Sequence, residues 1–372
     1  MADGFSIRLL DESLTDLSPP LAGFDLTITH RWLRPSRYEL SVPDALPSGT
    51  LQALLPRANV HGDVVNTAGS TYLVVGSRPY LTMDFPRWQS RTRRWRLVGS
   101  DVSMFDHRLV EHFPPGEGYY VTTGAASTRM RAVVQSQVVA PGHPADVVPH
   151  LVAPTPAAVG TSGRTEARYQ AVSDLLEDIG REGGVGWDVT FDESQFVWAP
   201  VPGDDLTDDI TIDLDLGTAL EMAYEHDQRD AATRVLLAAQ GEGVDRYIRA
   251  VGGGAGLYRR TMFRDARDVE DSPQRDATLD RRGAEALART DPGPLMLVEP
   301  NTFSDGVRFG EDWGVGDLVT VSNRQLGLAF LARVVEAQVT IRSGLPEVKV
   351  AFDRPFPTLE DHRRSEPSFA RS

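Results

Sequence analysis

The chain contains no cysteine, which excludes disulfides, thiolate zinc sites, iron–sulfur clusters and a cysteine nucleophile in one step. Only oxygen and imidazole ligands remain, and no cofactor is expected. Lysine occurs once, at Lys349, so arginine supplies the rest of the positive charge. No apolar run approaches the ~20 residues that span a bilayer, so the chain is expected not to insert into a membrane. The opening MADGFSIRLLDES has acids near its start and no apolar h-region, which predicts a protein made in the cytoplasm rather than secreted. No repeat with a period of about 20 to 50 residues is visible, which argues against solenoids and propellers. Excess positive charge is missing as well: at −15 over 372 residues, the long-range field disfavours nonspecific attraction to nucleic acid or anionic membranes. Such acidity suits a surface past which DNA slides without sticking.

What is present is mostly β pattern. A chain of this length exceeds the usual single domain. Over the first ~110 residues, short strands are punctuated by Pro and Gly. Phe24, Leu26, Ile28 and Trp32 alternate with Asp25, Thr27, Thr29 and Arg31, the period of a half-buried strand. Tyr38, Leu40 and Val42 continue it, and segments at 72–75, 80–83 and 91–98 complete a small antiparallel barrel or sandwich. Between Pro114 and Gly203 a single helix is predicted near 166–182, with Tyr169, Val172, Leu175, Leu176 and Ile179 on one face and Gly183-Gly184 as its stop. Strands are predicted at 185–191 and 195–199. Ile210, Ile212, Leu214 and Leu216 alternate with Asp209, Thr211, Asp213 and Asp215, which opens a second β region. A strand pair at 234–239 and 246–251, a helix near 278–289, and a hairpin pairing Val335, Ala337, Val339 and Ile341 with Val348, Val350 and Phe352 across Ser343-Gly344 follow. The polar stretch after Pro355 reads as a loose tail. The fold class expected is α+β, mainly β.

Few residues carry a chemical signature. No two of the eight histidines show the HExxH spacing. His107 and His112 with Asp106 and Glu111 form the only local cluster and read as a solvated loop. Gly160-Thr161-Ser162-Gly163 has the wrong spacing for a nucleophile elbow, and Gly252-Gly253-Gly254-Ala255-Gly256 is neither GxGxxG nor a P-loop. Residues 204–227 hold nine acids and no Lys or Arg. A carboxylate pair such as Asp213 with Glu221 would be needed for a wall hydrolase, whereas the alternation puts Asp209, Asp213 and Asp215 on the outer face of one strand, as a lumen lining or interface. Arg87, Arg91, Arg93, Arg94 and Arg96 with Trp88 and Trp95 superficially resemble a nucleic-acid patch. In an acidic protein, Arg91, Arg93, Arg94 and Arg96 are better read as partners for carboxylates of a neighbouring strand or subunit. A carbohydrate- or receptor-binding module would instead expose Trp88, Trp187 or Trp198 to stack on sugars.

Several stretches, read in order, resemble the minor tail proteins of actinobacteriophages with siphovirus tails. They are LVGSDVSMFDHRLVEHFPP (97–115), TGAASTRMRAVV, RTEARYQAVSDLLEDIGREGGVGWDV, LLAAQGEGVDRYI (236–248), YRRTMFRDARDVED (258–271), LDRRGAEALAR and FGEDWGVGDLVTV. Their order and spacing carry the similarity over roughly 250 residues of the chain. The resemblance implies a tail-tip or baseplate-hub protein with no enzymatic activity: two small β-barrels with an α/β domain between them. Barrel one would be 1–113, barrel two 206–248 with 306–355, and the α/β domain 114–205 with 249–305, leaving 356–372 as a flexible C-terminal tail. It further implies a homotrimer forming a pseudo-sixfold ring at the virion tail tip. The partners implied are the distal tail tube or an adaptor, the tape measure protein and other tip proteins, with DNA passing through the channel unbound.

Overall fold

The computed structural model describes residues 7–11, 13–17, 19–21, 23–43, 57–58, 64–65, 71–81, 87–89, 91–103, 105–226, 228–229, 231–269, 271–290, 295–301, 306–342 and 345–353. The predicted tail at 356–372 and the turn Ser343-Gly344 lie outside these residues. The chain divides into two compact units, one of residues 1–222 with 297–355, the other centred on 223–296.

Among the described residues a ten-stranded sheet runs in the order Ala219–Glu225, Leu295–Pro300, Leu345–Phe352, Leu328–Arg342, Asp25–Arg31, Arg37–Pro43, Arg94–Ser100 and Arg87–Gln89. Leu318–Asn323 pairs with the first half of Leu328–Arg342, and Thr211–Ile212 pairs with Leu318–Asn323. The two β regions are therefore hydrogen-bonded into one sheet. Leu26 faces Ile341 and Ile28 faces Val339, so strands near opposite ends of the chain share an inner face. No closed barrel forms among the described residues. The alternation fixes this face: Leu26, Ile28, Tyr38, Leu40, Val42, Leu97, Val339 and Ile341 are all buried.

One phase break occurs in the long strand. A register shift between Val334 and Glu336 leaves Val335 only half-buried and turns Glu336 inward, which is what an extra residue in one strand does. Val335 is thus not on the inner face with Ala337, Val339 and Ile341. The Glu336 carboxylate accepts from Arg31 Nε at 3.2 Å.

The helical layer of this unit holds α1 (Ala126–Val134) and α2 (Val172–Gly183). Around them lie the hairpin of Tyr120–Ala125 with Ser162–Ala167 and a small sheet of Leu151–Val152, Phe196–Val201 and Gly186–Phe191. Helix α2 starts six residues later than its pattern predicts, because Glu166 and Ala167 are claimed by the hairpin, where Ala167 faces Tyr120. Tyr169 is consequently exposed, at φ 54°, and does not belong to the apolar face. Val172, Leu175, Leu176 and Ile179 do. Gly184 caps the helix in the left-handed conformation. Helix α1 is an element the periodicity did not show. It carries no side-chain cap and packs so closely on α2 that a Cβ on Gly183 would lie 2.1 Å from Ala126 Cβ. Its Arg129 is fully buried, bonded to Thr165 Oγ1 at 2.9 Å, Glu182 Oε2 at 2.9 Å and the Thr161 carbonyl at 3.2 Å.

Trp32 joins this layer to the sheet. Its amide donates to Val335 O, its carbonyl accepts from Trp187, and its indole NH reaches Val201 O, at 3.0, 3.0 and 3.1 Å. Arg333 stacks 4.7 Å above the ring. A Cβ on Gly186 would sit 2.1 Å from the indole, so only glycine fits.

The second unit is a three-stranded sheet with Arg234–Ala238 between antiparallel Ile248–Gly252 and parallel Thr261–Asp265, covered on one face by α3 (Arg275–Thr290). Val235, Leu237, Ala239, Ala266, Val269 and Leu279 form its core. The boundaries differ from those expected. Residues 234–248 pack with α3 rather than with the second β region, and 114–205 belong to the main unit.

Gly186→Ala is expected to destabilise the protein by about 1–3 kcal/mol through overpacking against Trp32. Gly118→Ala, where a Cβ meets nothing within 4 Å, should stay within about 0.5 kcal/mol of wild type. Urea denaturation of both variants checks this contrast.

Candidate functional site

The acidic segment does not fold as one alternating strand. Between 209 and 216 only Thr211–Ile212 pairs, with Leu318–Asn323, and the chain then turns. Asp213 causes the turn. Its Oδ1 accepts from the Asp215 amide at 2.6 Å and the Leu216 amide at 3.3 Å, and its Oδ2 accepts from Ser322 Oγ, a side-chain-to-backbone arrangement that competes with continued strand. Asp213 is buried, whereas Asp209, Asp215 and Leu216 are exposed. The expectation that the three aspartates share an outer face is thereby corrected. The Ser322 hydroxyl, with the two amides, holds the Asp213 carboxyl below the usual carboxylate range. With both oxygens engaged and shielded, Asp213 cannot serve as a hydrolase carboxylate beside the exposed Glu221.

Among the arginines, Arg94 Nε donates to Ser41 Oγ at 2.8 Å, and its terminal nitrogen reaches Ser41 O at 2.7 Å and Asp25 at 3.0 Å. Arg96 pairs with Glu39 across the strand. Arg91 and Arg93 lie in the turn at 91–93, Arg93 at φ 51°. These exposed pairs contribute at most about 1 kcal/mol each. Trp187 and Trp198 are buried and so form no sugar platform; the Trp88 side chain lies outside the described residues.

A buried polar group that no local pattern singles out lies where the sheet meets the helical layer. Asp101 Oδ2 accepts from the Ser36 amide at 2.6 Å, and its Oδ1 accepts from the Ser103 amide at 2.9 Å and the Ser103 hydroxyl. Burial pushes the Asp101 carboxyl up to about 6, against the hydrogen bonds from Ser103 and Ser36. Burial, then the Arg78 charge, holds His30 well below its ordinary value, so it stays neutral. Burial also opposes the charge on Arg78, but its ion pair with Asp188 outweighs this and raises its pKa. No local signal marks Arg78, which stands between Ser77 and Pro79; its partners are distant in the chain.

The predicted loop cluster is regrouped. His107 is exposed, while His112 and Glu111 meet Asp146, with one ligand-capable atom from each within 4.8 Å of the others. Gln137 fixes the loop by accepting from the amides of Glu111 and His112, at 3.1 and 2.9 Å, and donating to His112 O at 2.8 Å. One imidazole and two carboxylates are a donor set for a divalent cation. Asp146 also lies 3.3 Å from His112 Nε2 and 3.9 Å from Arg108, so the guanidinium already offsets part of its charge. The cleft beside it, about 730 Å³, is lined by Glu111, His112, Pro115, Tyr120 and His143.

The fold has counterparts among phage tail proteins. A 43 kDa tail protein of prophage MuSo2 from Shewanella oneidensis has TM-score 0.56 at 12% identity, covering 93% of this chain and 97% of that one. A tail protein from Neisseria meningitidis MC58 has TM-score 0.52 at 14% identity, covering 94% and 96%. No curated protein matches in sequence. The profile of the Siphovirus ReqiPepy6 Gp37-like protein family matches residues 92–352, and the chain belongs to that family.

Asp101 binds a proton more tightly folded than unfolded, so it penalises folding above pH 6, and the penalty fades as pH falls from 6 towards 4. His30, neutral when buried, acts oppositely below about pH 6.5. The difference between wild type and Asp101→Asn isolates the aspartate. Relative to the variant, wild type should gain up to about 3 kcal/mol between pH 7 and pH 4, measured by urea denaturation across that range. A flat difference would show that Asp101 does not titrate in this window.

Proposed function

We propose that the chain is a structural hub subunit of a siphovirus tail tip. Three copies form a pseudo-sixfold ring that joins the tail tube to the tip and surrounds the DNA channel. The carrying observation is the likeness in fold to phage tail proteins along almost the whole of both chains. The mainly β architecture supports it, because unpaired strand edges in a ring can be satisfied by neighbouring copies. Charge supports it too: at −15, a lumen lined by this protein repels DNA rather than holding it. Asp209 and Asp215 are exposed and available to a lumen or interface, whereas Asp213 is spent inside the fold. In this reading the neighbours are the distal tube or an adaptor, the tape measure protein and other tip proteins, and catalysis has no part.

Light scattering of the purified protein should give three times the 40.8 kDa chain, and negative-stain images should show a ring with a central opening. A particle that stays monomeric at tens of micromolar overturns the trimer.

A further inference from the structure

Among the described residues no helix or strand covers the face of the second unit's sheet opposite α3, where Arg246 lies over the Phe263 ring. Val235, Val251, Met262 and Leu237 point toward α3. By alternation Leu236, Ala250 and Phe263, which face one another in register, point away. Ile248 and Phe263 are more than half exposed. The turn between the outer strands adds Leu257 and Tyr258, 97% and 83% exposed, and the arginines Arg259, Arg260 and Arg264 with no acid between 257 and 264. An uncovered apolar patch of this kind marks an interaction surface.

A matching surface exists on the same chain. Ala219–Glu225 ends the ten-stranded sheet, and no strand among the described residues pairs with its outer side; the same holds for Thr261–Asp265 in the three-stranded sheet. Leu220 and Tyr224 are exposed on one face of Ala219–Glu225, Glu221 and Glu225 on the other. In Thr261–Asp265, Phe263 lies on the open face and Arg264 on the opposite one. Pairing these two edges sets Leu220 and Tyr224 beside Phe263, and Glu221 and Glu225 beside Arg264. Antiparallel pairing of Ala219–Glu225 with its own copy about Ala223 would set Glu221 beside Glu225, and pairing of Thr261–Asp265 about Arg264 would set arginine beside arginine, each destabilising across strands.

We propose that Ala219–Glu225 of one copy adds as a strand to Thr261–Asp265 of a second copy. The contact joins two unlike surfaces, so repetition closes a ring when the rotation permits. The inference rests on the self-association put forward above and names the edges that make it.

The absence of cysteine makes the test specific. Leu220→Cys and Phe263→Cys variants, mixed and treated with a short bismaleimide, should give a covalent dimer in the mixture and none in either variant alone. Arg264→Glu should weaken association about fivefold, and Glu225→Arg in the same chain should restore it; Glu225 is chosen because Glu221 already senses Lys349. Oligomers by light scattering without the mixed crosslink, or with crosslinks in a single variant, overturn the edge pairing and leave the hub standing. A strict monomer overturns both.

Discussion

The main unit is organised around a tryptophan that has room only because other residues have no side chain. Trp32 follows directly on a sheet strand, yet its indole NH is satisfied by Val201 and its carbonyl by Trp187, in the helical layer. A buried indole needs such an acceptor, and reaching it brings backbones of distant segments into contact with the ring. Gly186 and Gly316 line that contact, and a Cβ on Gly203 would meet Gly316 O at 2.0 Å. Gly186 and Gly316 are therefore required by one side chain, and Gly203 by the Gly316 backbone. Arg333, stacked on the outer face of the ring, couples the bulged strand to the same point.

The bulge follows from this arrangement. Trp32 takes Val335 O as its acceptor, and at that position the long strand slips by one residue against Leu345–Phe352. The slip turns Glu336 inward, where Arg31, the residue before Trp32, neutralises it. A buried carboxylate is tolerable only with such a partner. The indole, the bulge and the ion pair form one local solution.

What could be read from the sequence was whatever depends on near neighbours. The alternations at 24–32 and 38–42, the apolar stripe of α2 from Val172 onward and its glycine cap all depend on residues a few positions apart, and each is present in the structure. The ordered motifs also placed the chain in a siphovirus tail family. What could not be read depends on contacts across the chain. Helix α1 is short and uncapped, and it is stabilised by packing on α2 and by a buried arginine. Asp213 looked like an outward strand residue because nothing nearby announces Ser322 as its partner. Val335 lost its place on the inner face to a register shift set by Trp32. His112, together with Glu111, found Asp146 rather than His107.

Charge has to be read locally. In the arginine-rich strand, only superficially like a nucleic-acid patch, Arg94 and Arg96 are engaged with Asp25 and Glu39 in the same sheet. Residues 223–296 hold thirteen acids against twelve arginines, so nearly all of the net −15 sits in the rest of the chain. Screening at physiological salt limits the reach of exposed charge to about 8 Å. An acidic chain acts on DNA, or on another copy of itself, only through the carboxylates at the surface in question. The uneven division matters more than the total: a nearly neutral unit with an apolar face can approach an acidic one without the repulsion that two acidic surfaces would meet.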